Sequence, residues 1–177
     1  NNIKGSRKIK FSVVRYGNVL GSRGSVVPLF VSLNKSKKKF TLTHKEMTRF
    51  NITLQEGVEF VDWCLKNNYG GEIFVPKLKS FKVTDLAKAI KKNAEFKNIG
   101  LRPGEKIHEE LISESDSLNT LEGKNHFVIL NYHSKNEIQN YKKKNNLKEL
   151  KFKTKYSSDL NKSFLSISDL KQVLKLN

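Results

Sequence analysis

Two apolar segments flank a polar, glycine-containing segment near the start of the chain. Residues 10–16 are rich in β-branched and aromatic side chains and lack a 3.6-residue period, which predicts a buried strand. Residues 26–33 form an apolar run with Pro28 near its start, a pattern typical of a helix. Between them, residues 17–25 carry glycines among Asn, Ser and Arg side chains. A strand, a polar glycine-rich turn and a helix in this order predict a ligand site, because open α/β sheets bind ligands at the carboxyl ends of their strands.

The rest of the chain alternates short strands with helices, and this alternation predicts an α/β fold. Alternating or β-branched apolar residues predict strands at 40–43, 47–52, 72–75, 80–83, 96–100 and 127–130. Three further helices are predicted: one capped by Thr84, one that follows the turn at 102–105 and runs through Leu111, and one capped by Ser168. Residues 116–123 show no clear pattern, and residues 131–150 are polar, which is typical of surface.

The clearest helix pattern begins at a capping box, residues 53–56, and ends before Gly70. Within it, apolar residues recur at helical spacing, and Trp63 and Cys64 widen their face. The recurring positions, which we predict to face the core, are Leu54, Val58, Val61 and Leu65.

The chain is strongly basic, with a net charge of +17 over 177 residues. Such a charge suits nucleic acid or an anionic membrane as a partner. However, the lysines are scattered, and the runs at 37–39 and 142–144 have no interleaved aromatic residues. We therefore interpret the charge as a solvated basic surface and keep a nucleic-acid-binding module as the alternative from another class. A salt titration separates the two, because phosphate-driven binding weakens steeply with salt.

The single cysteine, Cys64, excludes an internal disulfide and lies within an apolar helix pattern. This indicates a small core residue in a reducing compartment, so we expect a cytoplasmic protein. We expect no contact with a membrane, because no apolar run approaches the roughly 20 residues of a span. Residues 1–7 resemble the exit of a helix, and the chain begins at Asn1, so we expect a piece of a longer protein.

Several kinds of catalytic site find no support in the sequence. The four histidines lie far apart and Cys64 has no partner at a ligand spacing, so we predict no metal site. The segment 21–25 lacks the G-x-S-x-G order of a nucleophile elbow. The glycines of residues 17–24 are not spaced as G-x-G-x-x-G, and lysines at 37–39 stand where a dinucleotide fingerprint has an acidic residue.

Four sequence blocks and a short tail resemble one family. The blocks are RYGNVLGSRGSVVP at 15–28, MTRF at 47–50, GEIFVPK at 71–77 and RPGEK at 102–106, and the tail is YSS at 156–158. In this order they resemble the nucleotide-sugar 4,6-dehydratases of the extended short-chain dehydrogenase/reductase superfamily. The likeness is greatest to the configuration-inverting UDP-N-acetylglucosamine 4,6-dehydratases of pseudaminic acid synthesis. It covers nearly the whole chain, although residues 115–155 match no motif of the family.

The resemblance implies a fold, and it implies that this chain binds the substrate while other residues of the intact protein bind the cofactor. Residues 1–177 would be the carboxyl-terminal, substrate-binding portion of a Rossmann-like α/β fold, with the opening strand in its parallel sheet and the rest in a smaller α+β lobe. The family's catalytic Tyr-x-x-x-Lys dyad is absent from the chain, since no tyrosine has a lysine four positions later. The family's glycine-rich cofactor loop is absent too. The chain alone is therefore expected to be inactive, with NADP bound mainly by other residues of the intact protein.

The resemblance also implies which residues bind the substrate. Arg49 and Arg102 lie where the family binds a diphosphate, and guanidinium forks suit phosphate oxygens. Asn18 matches an asparagine that contacts the phosphate–sugar region, and Thr43 matches the edge of the uridine pocket. Glu105 is expected either to hold Arg102 or to reach a ribose hydroxyl.

Three further assignments concern the segment around the glycines. Ser25 ends the loop from Asn18 that is expected to shape the pose of the sugar. Tyr16, Gly17 and Asn18 are expected near the nicotinamide end of the cofactor.

The implied activity is NADP-dependent dehydration of UDP-N-acetylglucosamine across C4 and C6 with inversion at C5, in an intact protein expected to be a homo-oligomer. In this family the cofactor takes a hydride from C4, the C5 proton and the C6 hydroxyl are lost as water, the hydride returns to C6, and a proton returns to C5. The alternative within the superfamily is the related enzyme that also epimerises UDP-N-acetylglucosamine for capsule sugars.

Overall fold

The computed structural model describes residues 8–130, 133–151 and 153–175, which form two compact units. The sheet unit comprises the described residues of Asn1–Tyr16, Gln55–Lys77 and Glu110–Tyr156. The cavity unit comprises the described residues of Gly17–Leu54, Leu78–Glu109 and Ser157–Asn177. The prediction that residues 1–7 leave a helix lies outside the described residues.

Short strands and helices alternate along the chain, so the predicted α/β class is confirmed. The strands are β1 Val13–Val14, β2 Asn18–Val19, β3 Phe40–Leu42, β4 Thr48–Ile52, β5 Ile73–Pro76, β6 Lys79–Lys82, β7 Phe96–Asn98, β8 Glu110–Ile112, β9 Thr120–Glu122, β10 His126–Ile129, β11 Lys148–Glu149 and β12 Tyr156–Ser157. The helices are α1 Val26–Lys35, α2 Leu54–Asn67, α3 Val83–Ile90, α4 Glu114–Ser117, α5 Lys135–Lys144 and α6 Ile167–Val173. The six predicted strands each match an observed one, and the apolar run at 26–33 forms α1.

The sheet unit is built on five strands in the order β1-β5-β10-β9-β11. β1 runs parallel to β5, with Val13 opposite Ile73, and the other pairs are antiparallel. The core of this unit includes Phe74, Val128 and Leu130, which are fully buried. The prediction that only the opening strand belongs to this sheet is wrong, because β5, β9, β10 and β11 are part of the same sheet.

The opening strand is shorter and more exposed than predicted. Only Val13 and Val14 pair as β1, and Val13 is 55% exposed rather than buried. Ile9 and Phe11 are exposed as well. The reason is the position of β1 at the edge of the sheet, where β5 is its single partner among the described residues. An apolar strand edge is therefore open in this structure.

The face of α2 that is buried differs from the predicted one. Leu54, Val58 and Leu65 are 69%, 57% and 69% exposed, so the prediction that they face the core is wrong. Gly57 and Cys64 are buried instead, and the neighbouring aromatic rings pack on the sheet unit's core. The sequence contains two overlapping apolar stripes, and the stripe with the larger aromatic side chains is buried because it removes more apolar area from water.

The helix predicted from the 102–105 turn through Leu111 is not formed. Residues 101–109 are irregular, and β8 begins at Glu110. Gly104 has φ +78°, a left-handed conformation that a right-handed helix cannot contain. The polar segments without a clear prediction do contain structure, namely α4 and β9 within 114–122 and α5 and β11 within 135–149.

Two predicted helix caps lie two residues away from the observed ones. The N-cap of α3 is Lys82, so Thr84 lies inside the helix. The N-cap of α6 is Ser166 rather than Ser168. The Ser166 hydroxyl accepts from the Asp169 N–H, and the Asp169 carboxylate accepts from the Ser166 N–H, a reciprocal capping box that a cap at Ser168 would lack.

The cavity unit has a separate core beneath two small sheets, β2-β4-β6 and β3-β7. The Phe30 ring of α1 packs edge-on against Phe40, 5.1 Å between centroids. Phe81, Leu86 and Leu170, from β6, α3 and α6, are buried in the same cluster. α1 and β6 contribute Phe30 and Phe81 to this core, and β6 in turn pairs with β4, which pairs with β2.

Candidate functional site

The cavity unit contains a cavity of about 230 Å³ that is lined by polar and apolar side chains. Its polar lining consists of Asn18, Ser25, Thr41, Thr43, Arg49, Arg102 and Glu105. Its apolar lining includes Leu20, Val26, Val27, Leu29, Phe30, Leu42, Met47, Phe81, Val83 and Ile99. The structure thus brings together every residue that was predicted to bind substrate, although these residues are spread from Asn18 to Glu105 in the chain.

The glycine-rich segment enters the cavity through a close backbone approach. β2 pairs in parallel with β4, with Asn18 opposite Asn51. A Cβ atom on Gly17 would lie 2.4 Å from the Cβ of Phe50, so no larger residue fits here without moving β4. Gly17 therefore has a packing role that places the Asn18 side chain in the cavity lining.

The amino-terminal end of α1 forms one wall of the cavity. Val26 and Val27 begin the helix and line the cavity, and the first N–H groups of a helix have no intrahelical partner. Ser25 is the N-cap, but its side chain makes no capping hydrogen bond. Its buried Oγ has no partner among the residues that the structure describes. Because the first turn of α1 carries no acidic side chain, this wall suits an anion.

The turn from Arg102 to Glu105 supplies a second cationic wall. The Glu105 N–H donates to the Arg102 carbonyl at 3.0 Å, and the Arg102 N–H donates to the Glu105 carboxylate at 3.2 Å. The Glu105 carboxylate thus contacts the backbone of Arg102, and its predicted contact with a ribose hydroxyl stays a prediction. Across the described part of the chain, the guanidinium of Arg102 makes no hydrogen bond or ion pair. Arg102 is exposed at the cavity, with its charge available to a ligand.

Arg49 lines the cavity from β4 but differs from Arg102 in its contacts. Its side chain is 12% exposed, and its guanidinium donates to backbone carbonyls of Thr48, Lys106 and Ile107. Burial lowers the pKa of Arg49, while the nearby carboxylates of Glu109 and Glu105 act in the opposite direction. The predicted contact of Arg49 with a diphosphate stays a prediction, and these hydrogen bonds favour another role, which is argued below.

The residues predicted to meet the cofactor are not part of the cavity lining, apart from Asn18. Tyr16 belongs to the sheet unit, two residues after the end of β1, and is 42% exposed. Gly17 has the packing role already described. Tyr16 and Gly17 can offer backbone groups at the carboxyl end of a strand, which is where dinucleotides bind in α/β folds, so their cofactor role stays a prediction.

The cavity wall formed by the amino-terminal end of α1 and the apolar lining of the cavity were not predicted from the sequence. Val26 and Val27 were predicted to be helical but not to line a site. Leu29 and Ile99 are half-exposed apolar residues at the cavity, and sequence patterns do not separate such residues from ordinary surface or core. A usable signal for the helical wall was present, because a glycine-rich segment that leads directly into a helix is a common anion site.

Neither a metal centre nor a membrane-spanning helix is formed by the residues that the structure describes. Among the described residues, no group of three or more His, Cys, Asp or Glu side chains is placed to hold a metal ion. None of the helices within those residues is long and apolar enough to cross a bilayer. Cys64 is buried as predicted, and burial raises the pKa of its thiol to about 12, with Glu72 adding to the shift. A thiol in this state is a poor nucleophile.

The sequence is similar to proteins whose names state an enzymatic activity. It is 50% identical over 130 residues to a UDP-N-acetylglucosamine 4,6-dehydratase (inverting) of Campylobacter jejuni, covering 73% of this chain and 39% of that protein. It is 42% identical over 113 residues to a UDP-glucose 4-epimerase of Rickettsia bellii, covering 62% of this chain and 33% of that protein. The chain thus spans well under half the length of these relatives.

A solved structure and a family model agree with these relatives. The structure is similar to the X-ray structure of Pen from Bacillus thuringiensis, with a TM-score of 0.79 and 32% identity over 97% of this chain and 51% of that one. The family model described as polysaccharide biosynthesis protein matches residues 1–131. The predicted resemblance is confirmed, and the chain belongs to this family of polysaccharide biosynthesis proteins.

Proposed function

We propose that the cavity binds the nucleotide diphosphate of a UDP-sugar, and that the complete protein dehydrates UDP-N-acetylglucosamine across C4 and C6 with inversion at C5. The observation that supports this most strongly is the convergence of all six predicted substrate residues on one cavity. The activity named for the Campylobacter relative, at 50% identity, supports the choice of sugar nucleotide.

The cavity has the chemistry that a diphosphate requires. The Arg102 guanidinium and the amino-terminal end of α1 both line it, and each attracts anions. The buried Ser25 Oγ lacks a partner among the described residues and can donate a hydrogen bond to a phosphate oxygen. We assign the diphosphate to these three groups.

The two ends of the substrate have further candidates on the cavity wall. Thr43 lies at the end of β3 beside apolar residues, an arrangement that suits a uracil base. Asn18 offers an amide to the phosphate–sugar region. Glu105 accepts the Arg102 N–H through one carboxylate oxygen, and we assign the other oxygen to a ribose hydroxyl.

The reacting groups come from elsewhere in the complete protein, since this sequence has no Tyr-x-x-x-Lys dyad. We propose that this chain is the carboxyl-terminal, substrate-binding portion and that NADP is bound mainly by other residues. When bound, NADP supplies hydride transfer. The contribution of this chain is to hold the sugar nucleotide in a fixed pose, with Tyr16 and Gly17 at the edge of the cofactor site.

Product analysis in heavy water tests this function. The complete protein is incubated with UDP-N-acetylglucosamine, and the product is examined by NMR. We expect one deuterium at C5 with inverted configuration and none at C6, because only the C5 proton exchanges with solvent. Deuterium at C5 with the original configuration would replace the inverting proposal with a retaining one, and absence of a dehydrated product would contradict the proposal as a whole.

The activity named for the Rickettsia relative favours a second candidate, epimerisation of a UDP-sugar. The same experiment separates the two reactions. Dehydration removes one molecule of water from the sugar, whereas epimerisation leaves its mass unchanged apart from deuterium incorporation. A product with its C6 hydroxyl intact would therefore support the epimerase.

A further inference from the structure

The guanidinium of Arg49 is surrounded by protein acceptors within the cavity unit. One terminal nitrogen donates to the Thr48 carbonyl at 2.7 Å and to the Ile107 carbonyl at 2.9 Å. The other donates to the Lys106 carbonyl at 2.9 Å and to the Met47 Sδ at 3.0 Å. These four contacts use both N–H groups of both terminal nitrogens.

The fifth N–H of Arg49 is on Nε, which lies 3.4 Å from the Glu109 carboxylate. A guanidinium has five N–H donors, so four of those of Arg49 are hydrogen-bonded to protein atoms and the fifth belongs to the nitrogen that is ion-paired with Glu109. Arg102 is the opposite case, since its guanidinium makes no hydrogen bond or ion pair within the described residues. The two arginines of the cavity therefore cannot have the same role in this conformation.

The acceptors of Arg49 lie directly after the turn that carries Arg102. The carbonyls of Lys106 and Ile107 belong to the two residues that follow Glu105. The Thr48 N–H also donates to the Ile107 carbonyl at 3.1 Å. Residues 106 and 107 are thus joined to β4 through both the backbone and the Arg49 side chain. Irregular backbone needs such contacts, because it lacks the regular hydrogen bonds of a helix or strand.

We propose that Arg49 is a positioning residue, which holds residues 102–107 against β4 so that Arg102 and Glu105 face the cavity. This inference rests on the proposed function and deepens it by assigning the anion contact to Arg102 and the support of its turn to Arg49. An arginine suits this role because its planar fork reaches two carbonyls and a carboxylate at once, which the single ammonium of a lysine does not.

A double-mutant cycle tests the coupling between the two arginines. The variants are Arg49→Lys, Arg102→Ala and the double variant of the complete protein, and the measurement is UDP affinity by calorimetry. We expect Arg49→Lys to weaken binding about tenfold in the native background and less than about twofold in the Arg102→Ala background. Equal effects in both backgrounds would show that Arg49 acts independently of Arg102, and this would overturn the proposal.

Hydrogen exchange in the absence of any ligand provides a readout that does not depend on the proposed function. We expect amides of residues 102–107 to exchange faster in Arg49→Lys than in the native protein, and to be unchanged in Arg102→Ala. Unchanged exchange in Arg49→Lys would contradict the positioning role. Faster exchange together with no UDP binding by any variant would keep the positioning role and reject the proposed ligand.

Two more variants serve as a control for the Arg→Lys change and as a substitute if Arg49→Lys does not fold. Arg15→Lys makes the same change at an arginine of the sheet unit that also donates to a backbone carbonyl, that of Leu111, and we expect it to alter neither UDP affinity nor exchange at 102–107. Glu109→Gln removes the ion pair but keeps the Arg49 side chain. It should raise exchange at 102–107 to a smaller extent, and it decides the question if Arg49→Lys fails to fold. Unchanged exchange in Glu109→Gln would then overturn the proposal.

Discussion

Two four-residue turns, residues 69–72 in the sheet unit and residues 102–105 in the cavity unit, contain the same local hydrogen bond but have different roles. In the sheet unit, the Glu72 carboxylate accepts from the Tyr69 N–H at 2.6 Å. In the cavity unit, the Glu105 carboxylate accepts from the Arg102 N–H at 3.2 Å. Each turn also contains glycine at positive φ. A glutamate three residues after the start of a turn thus satisfies the first N–H of that turn in both units.

The two turns differ in the number of hydrogen bonds that the glutamate carboxylate accepts from the protein. Glu72 is 1% exposed, and its carboxylate also accepts from the Gly70 N–H at 2.8 Å and from the Ser12 hydroxyl at 2.9 Å. Glu105 lines the cavity, and its carboxylate accepts a single hydrogen bond from the described residues. A buried carboxylate with several protein donors, such as that of Glu72, stabilises the fold. A carboxylate with one protein donor beside a cavity, such as that of Glu105, can also accept hydrogen bonds from a ligand.

The largest effect is expected when the turn at residues 69–72 loses its charge. Glu72→Gln keeps the shape of the side chain, but its amide presents N–H groups to the donors that the carboxylate accepted. We expect a loss of about 3 kcal/mol in the free energy of unfolding, because hydrogen bonds to buried charged groups contribute about 1.5–3 kcal/mol. Urea denaturation measures this loss.

The matched change in the cavity turn serves as the control. Glu105→Gln should alter the free energy of unfolding by no more than about 0.5 kcal/mol, as for most exposed positions. Equal destabilisation by the two variants would contradict the distinction between the two turns.

A smaller effect is expected from the glycines of the two turns. Gly104 has φ +78°, and a Cβ there would meet nothing within 4 Å, so Gly104→Ala suffers backbone strain alone, about 1 kcal/mol. Gly70 has φ +105°, further from the left-handed helical minimum, so Gly70→Ala should lower the melting temperature more. Gly104→Asn should recover part of the loss, because asparagine tolerates positive φ. A melting temperature of Gly104→Ala equal to that of the native protein would contradict the observed turn.

The smallest effect concerns the response of the sheet unit to pH. Burial lowers the pKa of His126, and the nearby Lys77 lowers it further. Below the ordinary histidine pKa of about 6.5, the unfolded chain therefore binds more protons than the folded one. The free energy of unfolding should fall as pH decreases from about 7 to 5. His126→Gln should show a weaker fall in urea midpoints over this interval, and an identical fall would remove His126 as its source.

The parts of the fold that the sequence predicted are those with strong local signals. The strand at 127–130 and helix α1 follow from runs of apolar residues whose neighbours are polar. The residues of the cavity were found through motifs, which mark positions without showing how they meet. Where two local patterns competed, as in α2, the choice depended on aromatic packing against Phe74, which a single sequence does not display.

The role of Arg49 shows what the sequence could not reveal. Its acceptor at Lys106 lies 57 residues away in the chain, and that acceptor is a backbone carbonyl, which every residue possesses. No residue pattern marks such a bond. In contrast, the helix α5 carried a visible signal, a capping box between Ser134 and Glu137, within a Lys/Asn-rich segment that its polar composition alone marked as surface.

The most direct test of the central claim compares UDP with uridine as ligands of the complete protein. Calorimetric titrations are made with the native protein, with Arg102→Ala and with Lys171→Ala as the control for loss of an exposed cation. We expect Arg102→Ala to weaken UDP binding by about 1.5–3 kcal/mol, the contribution of a charge-assisted contact. Uridine binding should be unchanged, because uridine has no phosphate. Equal UDP affinity in the native protein and Arg102→Ala would contradict the claim that this cavity binds the diphosphate.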